Sequence, residues 1–124
     1  MQLLNNLFRI TDSESADATT SRYRIELCSD SPIYKAHFPG MPVTPGVCIV
    51  QMAVELLEHA TGLQLQLQAI KNAKFIAVMS PNDATAIGCS LTVGSATDTT
   101  ISAQAVMANG STTYAKLSFT CRKV

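Results

Sequence analysis

Charge is scarce in this chain, and what there is cancels. Nine Lys and Arg offset nine Asp and Glu, charged residues make up only 15% of the sequence, and no basic block or aromatic and basic interleaving occurs. A phosphate backbone needs such a surface, so nucleic acid is not an expected partner. Long uncharged apolar runs are missing too: none approaches the roughly 20 residues of a membrane helix. The N-terminal MQLLNNLFRITDSES lacks a basic start followed by an apolar run of signal-peptide length. The expectation is a cytoplasmic, soluble protein without membrane insertion. The cysteines lack pattern: Cys28, Cys48, Cys89 and Cys121 are widely spread, with no CxxC pair and no His spacing that closes a zinc site. No metal site is expected, and the thiols read as reduced small hydrophobes. Cys48 alone sits near a predicted helix start, where a thiolate could be stabilised.

What the chain has in quantity is apolar surface, 47% of 124 residues. That length suits one domain, residues 1–124, with a core that needs no disulfide or metal. The apolar excess points to self-association. Residues 3–10 read as a first strand and TDSESAD as a polar turn. Residues 18–28 alternate around Tyr23, Ile25 and Leu27 with the period of a half-buried strand. Pro32, Pro39, Pro42 and Pro45 make residues 29–46 a shaped loop. Residues 46–62 carry Val47, Val50, Val54 and Leu57 at helical spacing, widened by Ile49, Met52, Ala53, Leu56 and Ala60 into a nearly enclosed helix. Gly62 suits its C-terminal cap, and His59 in the last turn suits the negative end of the helix dipole.

Strands follow at 66–78, 84–94, 99–108 and 111–122. Turns at Ser80-Pro81-Asn82-Asp83, at Ala96–Asp98 and at Asn109-Gly110 separate them, the last as a tight two-residue hairpin. Two strands, a buried helix and four strands describe an α+β domain in which a curved antiparallel sheet wraps one helix. Other α+β topologies share that order.

The segment His37-Phe38-Pro39-Gly40-Met41-Pro42-Val43-Thr44-Pro45-Gly46-Val47 resembles the signature of the beta-hydroxyacyl-acyl-carrier-protein dehydratases of fatty acid synthesis. The flanking strand and helix pattern fits over essentially the whole chain. The resemblance implies a hot-dog fold and a hydro-lyase acting on 3-hydroxyacyl thioesters in the synthesis of fatty acids or related acyl chains. It implies no cofactor beyond the phosphopantetheine of an acyl carrier protein that brings the substrate. It also implies a homodimer or trimer of dimers with the acyl chain at the subunit interface. Dehydration needs a base at C2, help for the departing 3-hydroxyl, and donors for charge on the thioester oxygen. His37 is the candidate base, since imidazole titrates near working pH. Gly46 and Val47 offer unpaired amides at a helix start, the oxyanion-binding place in the family. Phe38 reads as core.

The chain departs from the family at one pair. Members usually have Glu or Asp fourteen residues after the histidine, where this chain has Gln51, and Gln one turn later, where it has Glu55. Gln51 can orient a water or hydroxyl but cannot supply a proton. Glu55 then acts through Gln51 or a water, or His37 works alone. Otherwise the chain is an acyl-binding subunit without turnover, completed in a heterodimer by another hot-dog chain. Glu55 as a solvated or paired surface carboxylate, and acyl thioesterase activity, are the remaining alternatives. Carrier proteins are acidic, and Lys35, Lys71, Lys74, Arg122 and Lys123 are candidate contacts, though each is more often simply a solvated charge and none is assigned a site role.

Overall fold

The structure, a computed structural model, describes residues 2–36 and 40–124. Six strands and two helices follow in the order β1 (Phe8–Ser15), β2 (Thr20–Leu27), α1 (Pro32–Ala36), α2 (Gly46–Thr61), β3 (Leu65–Phe75), β4 (Ala86–Ala96), β5 (Thr100–Asn109) and β6 (Thr112–Lys123). The strands form one antiparallel sheet ordered β1-β2-β4-β5-β6-β3. This is the expected hot-dog arrangement, an α+β fold with α2 against the inner face of a curved sheet.

Alternation decides which face is inner. Tyr23, Ile25 and Leu27 of β2, Ile87, Cys89 and Leu91 of β4, Ile101, Ala103, Ala105 and Met107 of β5, and Ala115, Leu117, Phe119 and Cys121 of β6 are all buried, while the residues between them are more exposed. Met52, Ala53, Leu56 and Leu57 of α2 pack against them with no solvent exposure. Gly62 ends α2 in the left-handed conformation at φ 72° and returns its N–H to the Glu58 carbonyl, as a helix-terminating glycine does.

Four local expectations are corrected. The first strand begins at Phe8 and runs through Thr11–Ser15, because this polar stretch pairs with Ser21–Arg24 of β2 and exposes its side chains. Residues 3–7 form a turn instead, with the Asn6 and Leu7 amides on the Leu3 carbonyl. The proline-bearing loop contains α1, whose first residue, Pro32, is the one helical position where a missing N–H costs nothing. The last hairpin turns at Gly110-Ser111, one residue later than expected, and only Gly110 has positive φ; the Asn109 side chain instead donates to the Ala86 carbonyl at 2.8 Å.

β3 departs from plain alternation. Its register with β6 slips between Leu67 and Ala69 and again between Ile70 and Asn72. Each slip absorbs one residue, so Leu67, Ile70 and Ala73, spaced by three, come to the same side. That side faces the start of α2.

Candidate active site

Pro45 is the N-cap of α2, in extended conformation, and makes no side-chain cap hydrogen bond. Proline has no side-chain acceptor, so the first helical amides go uncapped. Those of Cys48 and Ile49 turn back to the Pro45 carbonyl at 2.9 and 3.1 Å. Those of Gly46 and Val47 have no such partner among the described residues. No acidic residue stands in the first turn, so the dipole's positive end is not neutralised.

These two residues open onto a groove of about 290 Å³ lined by Gly46, Val47, Val50, Gln51, Leu67, Ile70, Ala73 and Phe75. Among the described residues Gln51 is the one polar side chain in that lining. A second depression of about 370 Å³ shares Gly46 and Phe75 with it and is otherwise bounded by Val43, Thr44, Ile49 and residues 76–79. The Phe75 ring packs on Gly46 so closely that a Cβ there would lie 3.0 Å from Cζ. The room left by the missing side chain at Gly46 is thus taken by an aromatic ring. Val47 is 69% exposed, which corrects the expectation of a nearly enclosed helix at its first turn.

Glu55 is not a surface carboxylate: it is 3% exposed and faces away from solvent. Both its oxygens accept from the Leu3 amide, at 3.0 and 2.9 Å, Oε1 from the Leu4 amide at 2.7 Å, and Oε2 from Gln51 Nε2 at 2.9 Å. A buried carboxylate needs several donors of this kind, and these tie the N-terminal turn to the helix. An ionised carboxylate only accepts, so it also fixes which end of the Gln51 amide faces it. The structure therefore brings Gly46, Val47 and Gln51 to one groove and puts Glu55 one turn behind, in contact with Gln51 but outside the lining.

His37 and Phe38 lie outside the described residues. The chain on either side of residues 37–39 is held in place. Tyr34 Oη and Thr44 Oγ1, both buried, hydrogen bond at 2.8 Å, and the Thr44 amide donates to the Met79 carbonyl. Burial pushes the Tyr34 phenol up to about 12.

Burial also raises the Cys48 thiol, which removes the thiolate considered at the helix start. All four cysteines are free and buried, as small hydrophobes. His59 Nδ1 meets the Tyr23 hydroxyl at 2.8 Å, far along α2 from the groove. Among the described residues no cluster of His, Cys, Asp and Glu can hold a metal ion, and no helix is long and apolar enough to cross a membrane.

Sequence reasoning missed the β3 side of the groove. Leu67, Ile70 and Ala73 were legible as a three-residue period inside a strand, a spacing that only bulges can place on one face.

A family model described as ApeI-like, ApeI dehydratase, matches residues 12–111. The 3-hydroxyacyl-[acyl-carrier-protein] dehydratase FabZ of Lactiplantibacillus plantarum is 28% identical over 130 residues, covering 96% of this chain and 88% of that protein. Among solved structures, the dehydratase heterocomplex ApeI:P from Xenorhabdus doucetiae superposes with a TM-score of 0.67 at 12% identity, covering 91% of this chain and 96% of that one. A thioesterase from Pseudomonas aeruginosa gives a TM-score of 0.64 at 15% identity, covering 94% and 81%.

Proposed function

We propose, from the premise that this chain belongs to the ApeI-like dehydratase family, that it removes water from a 3-hydroxyacyl thioester carried on an acyl carrier protein. The observation that carries this reading is the groove: apolar along its length, and ending at two uncapped helix amides with one carboxamide beside them. An acyl chain suits the apolar lining, and a thioester carbonyl suits the amides.

In this reaction His37 takes the proton from C2 while the amides of Gly46 and Val47 hold the charge that gathers on the thioester oxygen. The C2–H electrons form the C2–C3 double bond and the C3–O bond breaks. The same imidazole returns its proton to the departing hydroxyl, which leaves as water. Gln51 orients that hydroxyl, and Glu55, through its hydrogen bond to Gln51, is a positioning residue. The reaction needs no cofactor beyond the carrier's phosphopantetheine. It belongs to the making of fatty acids or related acyl chains, and the buried free thiols suit a reducing cytoplasm.

The site's own edge calls for a second subunit. Among the described residues β3 ends the sheet with its outer edge unpaired, and Ile70, Phe75, Ile76 and Val78 on and after it, with Val47 across the groove, are exposed. A homodimer, alone or in a trimer of dimers, covers such a face.

One observation favours a second reading, an acyl-binding subunit that acts only beside another hot-dog chain. The Glu55 carboxylate is already occupied by Leu3, Leu4 and Gln51, and no carboxyl lines the groove among the described residues.

Offering the protein a 3-hydroxyacyl and a saturated acyl thioester separately decides among these. Enoyl thioester from the first alone is the expected result. Free thiol from both would mean hydrolysis, and bound but unchanged substrate would mean the non-catalytic subunit.

A further inference from the structure

The chain's balanced charge is unevenly placed. β3, β5 and β6 carry no Asp or Glu, while β3 and β6 carry Lys71, Lys74, Lys116, Arg122 and Lys123. Two of these cations are engaged: Arg122 bonds to Gln66, and Lys123 Nζ donates to the Thr97 carbonyl at 2.7 Å. Lys71, Lys74 and Lys116 make no ion pair or hydrogen bond among the described residues. Lys74 stands directly opposite Lys116 in the β3–β6 register. Cross-strand partners share a face, and the Ala115 and Leu117 neighbours of Lys116 are buried, so both ammonium groups project from the outer face. Like charges directly opposite one another cost stability, and nothing among the described residues pairs with either ammonium. Beside Lys116 lies a shallow depression of about 220 Å³ whose lining includes Asn72, Gln104 and Ser118, neutral hydrogen-bonding groups.

We infer that this outer face of the β3–β6 edge, centred on Lys74 and Lys116 with Lys71 beside them, is a docking surface for an acidic protein. That the acidic protein is the carrier of the acyl thioester rests on the function proposed above. The lysines are spread along two strands rather than gathered in the depression, which suits several carboxylates on a protein face over one small anion. Lys74 lies between Ala73 and Phe75, two residues of the groove lining, so a partner held there sits on the edge strand that forms the groove's β3 wall, on the face opposite the groove.

Lys116→Glu tests this with opposed readouts. It turns the like-charge pair into an ion pair with Lys74, so thermal stability should hold or rise. Carrier docking should weaken. The KM for 3-hydroxyacyl carrier protein should rise about tenfold more than the KM for the same acyl group on N-acetylcysteamine, and the difference should shrink as salt rises. Lys74→Gln should move the same ratio in the same direction by less. A wild-type KM ratio in both variants overturns the docking surface. Should the native protein turn over neither substrate, the proposed reaction fails and direct titration with carrier protein still decides docking. Salt-sensitive binding that is lost in K116E supports the surface, and binding unchanged in K116E overturns it.

Discussion

Replacing Glu55 by Gln changes one atom type and should cost far more than its size suggests. The native carboxylate accepts from the Leu3 and Leu4 amides and from Gln51 Nε2, three donors on two oxygens, at 3% exposure. A glutamine has one acceptor oxygen and one amide nitrogen. If the oxygen keeps Leu3 and Leu4, the new N–H groups face Gln51 Nε2; if it keeps Gln51, they face the backbone amides. Either way the charge assistance is lost; in the first case Gln51 must also turn its amide over, and in the second one donor meets another. A hydrogen bond to a charged group contributes about 1.5–3 kcal/mol and a stranded buried donor costs about 1–3, so a net loss of about 2–4 kcal/mol is expected. For a chain of this size that is a fall of roughly 6–16 °C in Tm. The double exchange Gln51→Glu with Glu55→Gln restores complementarity, since the carboxamide now at position 55 accepts from the backbone amides and donates to the carboxylate now at position 51. It should recover at least half of the loss. Gln51→Glu alone sets two carboxylates against each other and should be the least stable of the three. Thermal unfolding of the set by circular dichroism checks this. An E55Q midpoint within about 1 °C of the native one, or a double variant no better than E55Q, would mean that the Glu55 hydrogen bonds do not hold the N-terminal turn as described.

Gly46→Ala should push the Phe75 ring aside, because its Cβ would lie 3.0 Å from Cζ. The expected result is a loss of enoyl formation of about tenfold or more from misplaced groove walls, and Phe75→Leu in the G46A background should recover part of it. Burial raises Cys89 from 9.0 to about 12, Cys121 from 9.0 to about 11 and Tyr34 from 10.0 to about 12. The folded state thus favours their protonated forms, so this contribution is complete below the unfolded values and is lost as pH rises from about 9 towards 12. Urea midpoints should be level from about pH 7 to 8 and fall by pH 10.5, with a shallower fall in Cys89→Ala; a flat native profile to pH 10.5 would contradict it.

The helix and the inner sheet face were legible because burial writes a period. Val50, Val54 and Leu57, or Tyr23, Ile25 and Leu27, announce which side is covered whatever they are covered by. The proline-flanked segment and the Gln51 and Glu55 pair were legible for a different reason: residue types that restrict backbone or chemistry are scarce, so their spacing is informative. Thr11–Ser15 was not legible, since a polar strand on an exposed edge has no buried period and is held by its pairing with β2. Nor were the partners of Glu55. They are backbone amides from residues more than fifty positions away, and a backbone donor has no side-chain identity for a sequence pattern to report. The β3 wall of the groove fell between these cases, its apolar spacing visible but uninterpretable until the two bulges gave it a face.

The proposed reaction moves a proton between His37 and C2 of an acyl group held against the α2 amides. Incubating the protein with an enoyl thioester in D2O runs that step in reverse. The 3-hydroxyacyl product formed by the native protein should carry one deuterium at C2, and His37→Ala should form none of it. A 3-hydroxyacyl product without deuterium at C2, or formed equally fast by His37→Ala, would contradict the claim.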